Sequence, residues 1–311
     1  MVSRKKTVLR ILGLSRSPRF SPNSETRDAA IFSAVARELG QAGHSLTLLD
    51  ERDFSASWLR EVDVVFSMAR ERPVLAALAK AEASRRLSVV NSAQALLRFP
   101  RAALVELLEN NGIPLPRTQL LDLASESVER IYPEDLRFPL WLKRGDGAAE
   151  VKDDVCLVRT ETECLSALRA FAARRVVSIV AEEHVPGDLV KFYGVEGTDF
   201  FYCAEPAAVG GFSKFGLERY NGASAHFSFD VKSLKRQADR AARISNLSVY
   251  GGDAVVRADG TFFLIDFNDW PSFSPCRDEA AKAIASRIAR AVSHDECSHA
   301  EAVDRSLLNV F

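Results

Sequence analysis

Two acids and an amide carry the strongest chemical signal in this sequence. Asp266 and Asn268 stand two apart in the apolar run Leu264-Ile265-Asp266-Phe267-Asn268, and Asp253 follows Gly251-Gly252 earlier in the chain. Residues two apart on a strand point to one face, and a hairpin brings Asp253 opposite them. Two carboxylates and an amide oxygen at a strand end suit a hard cation such as magnesium, or manganese in its place. Such ions take oxygen ligands and keep positions open for phosphate oxygens. Solvated acids decorate many hairpins, but these two lie among apolar neighbours, where a solvated residue has little reason to be.

A second group is basic. Lys143 ends the apolar stretch Phe138-Pro139-Leu140-Trp141-Leu142 and precedes the loop Arg144-Gly145-Asp146-Gly147-Ala148-Ala149. Backbone N–H groups of such a loop, with an ammonium beside them, neutralise phosphate oxygens. A lysine at a strand end is more often a solvated boundary residue, so this signal is weak alone. Lys191 lies inside the apolar stretch Leu189 to Val195. A charge buried there demands an anionic partner; an edge strand would instead turn it to water.

The elements that must hold these groups follow from periodicity. Strands are expected at Thr7–Leu14, Ser45–Leu49, Val62–Phe66 and Leu87–Val90, alternating with helices opened by Ser24 and by Pro73. That alternation implies a small parallel sheet with helices on its faces. No GxGxxG follows the first strand, so a dinucleotide fingerprint is absent. A helix over Pro100–Asn111 is capped by Gly112. Thr160-Glu161-Thr162-Glu163 is a capping box opening another. Strands at 138–143, 177–182 and 189–195 follow, with Phe200–Cys203 pairing beside them. A helix at Ser233–Ser245, the hairpin of 253–256 and 262–267, and a last helix at Pro275–Val292 complete an α+β remainder.

Composition narrows the class. The chain has 311 residues, 41 Lys and Arg against 42 Asp and Glu, and 47% hydrophobic residues. It is an ordinary globular composition, and its near-zero charge argues against bulk binding of nucleic acid or an acidic membrane surface. The five cysteines are scattered without a CxxC pair, so neither a zinc site nor a disulfide framework is indicated. Arg10 interrupts the first apolar stretch, which therefore reads as a strand rather than a signal peptide. No apolar run approaches the length of a bilayer span. A cytoplasmic location is expected.

The ordered set of these pieces resembles the ATP-grasp superfamily, similar to glutathione synthetases, D-alanine–D-alanine ligases and ribosomal-protein glutamate ligases. The resemblance runs from about residue 88 to 292. It rests on Asn91, Arg101, Gly112-Ile113-Pro114, Pro139 to Lys143, Ala181-Glu182-Glu183-His184-Val185, Lys191, Asp253 and Asp266 to Ser272. It implies a small parallel-sheet α/β domain at 1–92 ahead of a two-lobed ATP-grasp domain at 93–311. The small lobe would cover about 115–182, the large lobe 183–292, and a tail 293–311. By the same resemblance Arg101 and Lys143 contact ATP, and the loop with Gly145 and Gly147 closes over the β- and γ-phosphates. Glu182, Glu183, His184 and Val185 border the adenine, Asp188 the ribose and Lys191 the γ-phosphate. Asp253, Asp266 and Asn268 hold magnesium. Arg101 stands where many members carry lysine, and Asp266 where glutamate is commoner.

The activity implied is ATP-dependent activation of a small-molecule or peptide carboxylate as an acyl phosphate, attacked by an amine or thiol. A kinase on the same fold, similar to inositol polyphosphate kinases, and a non-catalytic nucleotide-binding protein are the alternatives, since fold does not settle function. Lys214 and Arg219, in the aromatic and glycine-bearing segment 210–222 with Tyr220 and Asn221, are candidates for the transferred phosphoryl or a substrate carboxylate. Arg16, Arg19 and Asn23 follow the first strand's end, and Met68 and Arg70 the third's, where ligands of open α/β sheets bind. With Ser272 they complete the substrate candidates.

Overall fold

The computed structural model describes residues 7–21, 24–84, 87–125, 128, 130–147, 151–206 and 223–291. Its first sheet is parallel, with β1 (Arg10–Ser15), β2 (Ser45–Asp50), β3 (Val64–Ser67) and β4 (Ser88–Val90) in the order β2-β1-β3-β4. Helices α1 (Glu25–Gln41) and α2 (Arg72–Ala83) make the crossovers. Ile11 to Leu14 and all of β3 are buried, as strands covered on both faces must be. The chain leaves β1 for one side and returns to β3 on the other, so the crossovers reverse between these two strands. The first strand starts three residues later than periodicity suggested.

A second, antiparallel sheet has the order β5-β8-β6-β7: β5 (Thr118–Asp122), β8 (Ser178–Glu183), β6 (Leu140–Arg144) and β7 (Val155–Val158). Helix α5 (Glu161–Ala173) covers it, packing Leu168 and Phe171 on Leu140, Leu142 and Ile179. Thr160 caps α5 by accepting from the Glu163 N–H at 3.2 Å. The Glu163 carboxylate reaches one residue further back than a capping box requires, to the N–H of Arg159.

The third sheet, also antiparallel, orders β10 (Phe201–Ala204), β9 (Asp188–Val195), β11 (Val249–Val256) and β12 (Phe262–Asp269) as β10-β9-β11-β12. Helices α4 (Arg101–Asn110) and α6 (Val231–Ser245) cover one face, where Leu104, Leu108 and Leu234 meet Val190 and Phe192. On the other side Val195, Val249 and Trp270 join one core with Phe66 of β3 and Ile284 and Ile288 of a last helix, α7, over 277–291. Asn91 locks that seam: its side-chain amide donates to the Val249 carbonyl and accepts from the Val249 N–H, both at 2.7 Å. Both partners are buried, so each bond lost leaves an unpaired group costing about 1–3 kcal/mol.

Three elements escaped the sequence reading: β5, β7 and the short helix α3 (Ala93–Arg98). All are six residues or shorter, too short for a period to declare itself. Among the described residues no helix is long and apolar enough to cross a membrane.

Candidate active site

Register across the third sheet sets three charges in a row. Lys191 of β9 lies opposite Asp253 of β11, which in turn lies opposite Asp266 of β12. Directly opposed residues share a face, with Cβ atoms about 5 Å apart. The Lys191 ammonium is 3.0 Å from the Asp253 carboxylate, which supplies the anionic partner that a lysine within that strand requires. Asn268 is exposed two residues beyond Asp266 and donates its amide N–H to Asp266 Oδ2 at 2.8 Å. A side chain at Gly252 would overlap the Asp266 carbonyl and the Phe192 ring; only glycine lets β11 and β12 close here.

Two cations reach this row from other elements. Arg101, first residue of α4, places Nη1 3.2 Å from Asp266 Oδ1. Lys143, at the end of β6, is buried; its ammonium donates to Glu182 of β8 at 2.9 Å and to the Ile265 carbonyl of β12 at 2.6 Å. One side chain therefore ties the second sheet to the third. The loop after Lys143 is anchored at its base: Gly145 donates to the Ser178 carbonyl at 2.7 Å and accepts from the first-turn N–H of Ala102 at 2.9 Å. Gly147 has open space where a side chain would stand, while Ala148 and Ala149 fall outside the described residues.

The two acids nearest Lys143 have opposite fates. Burial pushes the Glu182 carboxyl above its ordinary value, more strongly than Lys143 pulls it down. Burial also acts against ionised Asp266, but Arg101, Lys143, the Asn268 amide and Lys191 together outweigh it and hold the carboxyl low. Asp266 is therefore held as an anion, the form in which a carboxylate can bind a cation.

A cavity of about 790 Å³ opens beside this cluster, lined by Leu115, Arg117, Val185, Asp188, Phe227 and Phe263 among others. Glu183 and His184 also border it, but their N–H groups donate to the carbonyls of Arg117 and Pro139. Trp141 fixes the His184 ring through a 3.2 Å bond from its indole N–H. Asp188 is buried, and each of its oxygens accepts a backbone N–H, from Ala225 at 2.7 Å and from Phe227 at 2.6 Å. Against the cost of burial, these bonds hold its carboxyl low. A carboxylate oxygen retains a second lone pair for a hydroxyl.

The donor set fits a hard divalent cation. Asp253 and Asp266 offer carboxylate oxygens and Asn268 an amide oxygen, on neighbouring register positions of one sheet face. Among the described residues no group of three His, Cys, Asp or Glu is assembled for a metal; beside Asp266 stands the amide of Asn268. Both carboxylates are paired with cations, Lys191 and Arg101.

No protein-family profile matches the chain, and no curated protein does. Solved structures do. The D-alanine–D-alanine ligase of Coxiella burnetii covers 96% of this chain and 99% of its own, with a TM-score of 0.66 at 14% identity. The D-alanine–D-alanine ligase of Bacillus anthracis, solved with ATP, covers 94% and 99% with a TM-score of 0.62 at 13% identity. A RimK domain ATP-grasp protein from Sphaerobacter thermophilus covers 90% and 99% with a TM-score of 0.59 at 19% identity. The chain has the ATP-grasp fold.

The first sheet adds a second cluster to this ATP-grasp fold, at the strand ends where its crossovers reverse. Arg16, after β1, is half-buried: Nη1 contacts Asp28 at 3.1 Å and Nε donates to the Met68 carbonyl at 3.2 Å. Arg70, after β3, pairs with Asp269 at the end of β12 at 2.5 Å. Glu51 fastens both loops; its carboxylate accepts from the N–H groups of Ser17, Arg70 and Glu71 at 2.6 to 2.7 Å.

Other candidates fall elsewhere. Arg19 points out to pair with Glu71 and does not join Arg16. The Met68 side chain is wholly buried in the core, so it lines no crevice and contributes only its carbonyl. Ser272 is partly exposed and its hydroxyl bonds that of Ser274. Asn23, Lys214, Arg219, Tyr220 and Asn221 lie outside the described residues. Glu51, Asp28 and Asp269 were not predicted as site residues. Glu51 and Asp28 lie in polar stretches, indistinguishable in sequence from solvated acids, and Asp269 falls one residue out of the alternation of Asp266 and Asn268.

Proposed function

We propose that the protein is an ATP- and magnesium-dependent ligase that activates a small-molecule or peptide carboxylate as an acyl phosphate for an amine or thiol. The observation that carries this reading is Lys143 bridging the two antiparallel sheets directly behind the row Lys191, Asp253, Asp266 and Asn268. The two sheets act as a nucleotide clamp, with the parallel α/β unit of 1–92 ahead of it. In the cavity, the Val185 backbone and its apolar neighbours take the base, and Asp188 the ribose. Lys143 and Arg101 exchange their carboxylate partners for phosphate oxygens, and Lys191 meets the γ-phosphate. Magnesium, held by Asp253, Asp266 and Asn268, supplies charge neutralisation on the β- and γ-phosphates.

The chemistry then needs positioning more than covalent help. A substrate carboxylate oxygen attacks the γ-phosphorus and the bond to ADP breaks. The acceptor amine attacks the acyl carbon, loses a proton, and phosphate departs with one former carboxylate oxygen. Lys214 and Arg219 are the proposed cations for the transferred group. The loop of Gly145 and Gly147 shields the acyl phosphate from water.

Hydroxylamine intercepts an acyl phosphate as a hydroxamate. With ATP, magnesium and a panel of carboxylic acids, hydroxamate and ADP are expected together, and Asp266→Asn is expected to lower both at least about 100-fold. A phosphorylated alcohol without hydroxamate would establish a kinase instead, and absence of ADP release across the panel a nucleotide-binding protein.

A further inference from the structure

Along β9 the chain passes the parts of the site in order. Gly187 and Asp188, at its start, line the nucleotide cavity; Lys191 follows in the charged row, and Tyr193 comes next on the same face. Val190 and Phe192 point the other way, into the core under α4 and α6. Lys191 and Tyr193 therefore stand side by side, roughly 7 Å apart along the strand. The rows across the sheet repeat this order. Ala204, Lys191, Asp253 and Asp266 form one, and Tyr202, Tyr193, Gly251 and Asn268 the next. A group bound beyond the phosphate end of a nucleotide meets that second row.

Tyr193 is the boundary between the site and the core. Its ring packs 5.7 Å from the wholly buried Phe273 and 6.2 Å from Tyr202, at the rim of the cluster that joins this sheet to the first. Those contacts fix where the hydroxyl goes. The residue is half-buried; among the described residues its hydroxyl has no hydrogen-bond partner, and it is not sealed from solvent. A tyrosine packed this closely ordinarily finds a partner for its O–H. Burial pushes the hydroxyl up to about 12, with Lys191 opposing and Asp253 adding to it. It is thus a protonated donor within electrostatic reach of the row. Lys191 and Asp253 are already paired with each other at 3.0 Å, so neither takes up this donor.

We infer that Tyr193 is a further substrate-contacting residue, its hydroxyl donating to the carboxylate under activation while Lys191 holds the γ-phosphate. The inference rests on the ligase reading above, which places the γ-phosphate at Lys191. A neutral donor suits the position better than another cation. One O–H bonds a single carboxylate oxygen and leaves the other free to attack phosphorus, whereas a second ammonium would draw charge from both.

Tyr193→Phe removes one oxygen and keeps the ring, and because that hydroxyl has no protein partner the change strands none. The unfolding midpoint and the affinity for ADP with magnesium are expected to stay as they are. The hydroxamate assay is run with acetate, succinate, glutamate and phenylacetate. For an acid that supports turnover, kcat/KM is expected to fall about ten- to a hundredfold, the scale of a hydrogen bond to a charged group, while the KM for ATP does not move. Unchanged kcat/KM for the acid, or an equal loss in the KM for ATP, overturns the inference. A second readout needs no turnover. The five tyrosines are labelled as 3-fluorotyrosine, and Tyr193→Phe identifies the Tyr193 resonance by its loss. In the full chain with a non-hydrolysable ATP analogue and magnesium, that ¹⁹F resonance is expected to move with one of these acids and not with its amide. A resonance that no acid moves, or that acid and amide move alike, overturns the inference. Movement with the acid in the absence of any ADP release or hydroxamate would count against the ligase reading alone.

Discussion

Arg101 and Asp266, 165 positions apart in sequence, meet at 3.2 Å where the start of α4 faces β12. On the proposed function, this guanidinium would accompany the phosphates when nucleotide is bound and restrain a metal-binding carboxylate when it is absent. Removing it should change two affinities in opposite directions. Arg101→Met is expected to strengthen binding of manganese alone about two- to fivefold, the scale of a partly exposed pair, and to weaken binding of the ATP–manganese complex. Titrations followed by electron paramagnetic resonance report both; a fall in both would show that Arg101 serves folding only.

Lys143 and Glu182 form a pair with side chains only 8% and 6% exposed. Breaking a buried pair strands a charge, at about 3–5 kcal/mol, whereas replacing both partners with apolar side chains is often neutral. Lys143→Met should therefore destabilise strongly, and Lys143→Met with Glu182→Met should recover most of the loss in urea unfolding. Nucleotide binding should stay lost in both. If the double variant regained ATP affinity, the lysine would have no part in the nucleotide site.

Glu51 is 1% exposed and accepts three backbone N–H bonds from two loops. In Glu51→Gln an amide NH2 replaces one acceptor oxygen, and donor faces donor. A loss of about 1–3 kcal/mol is expected for the buried bond broken. Faster hydrogen exchange should appear at Ser17 or at Arg70 and Glu71, according to which oxygen is replaced, and at neither site if the carboxylate is not the fastening group.

Glu82, at the end of α2, accepts the Gln94 N–H at 2.9 Å and the Ser92 hydroxyl at 3.3 Å, and burial raises its carboxyl from 4.5 to about 7. A carboxyl with a raised folded-state value adds stability that is complete below the unfolded value and lost as pH rises through about 7. Glu82→Gln should therefore flatten the decline in stability between pH 5.5 and 8 relative to the unaltered protein. Unfolding curves at both pH values check this, and parallel slopes would contradict it.

The third sheet was the most legible part of the chain. Buried and half-buried residues alternate along β9 as far as Gly194, and an acid or lysine among apolar neighbours, as at Lys191, Asp253 and Asp266, announces by its residue type alone that it needs a partner. Lys143 gave a weaker signal, since a lysine at a strand end is ordinarily solvated and only the glycine-bearing loop after it marked the position. What could not be read was which groups meet across distance. Nothing near Arg101 in sequence indicates that it turns to Asp266, and nothing near Glu51 that two loops converge on it. Arg16 and Arg70 could be placed at strand ends, but not the pairing with Asp28 that turns Arg16 inward while Arg19 stays exposed. The strands β5 and β7 were invisible because each buries a single residue, Leu121 and Val158, and so shows no buried face to read.

The central claim is that ATP activates a carboxylate through an acyl phosphate, and the fate of one oxygen tests it most directly. An acid that supports ADP release is labelled with ¹⁸O in its carboxylate, and the phosphate formed with the amine acceptor or hydroxylamine is weighed by mass spectrometry. Transfer of one label into each phosphate is the predicted result, because the oxygen that attacked the γ-phosphorus leaves with it. Unlabelled phosphate, or phosphate retained on a substrate hydroxyl, would contradict the account.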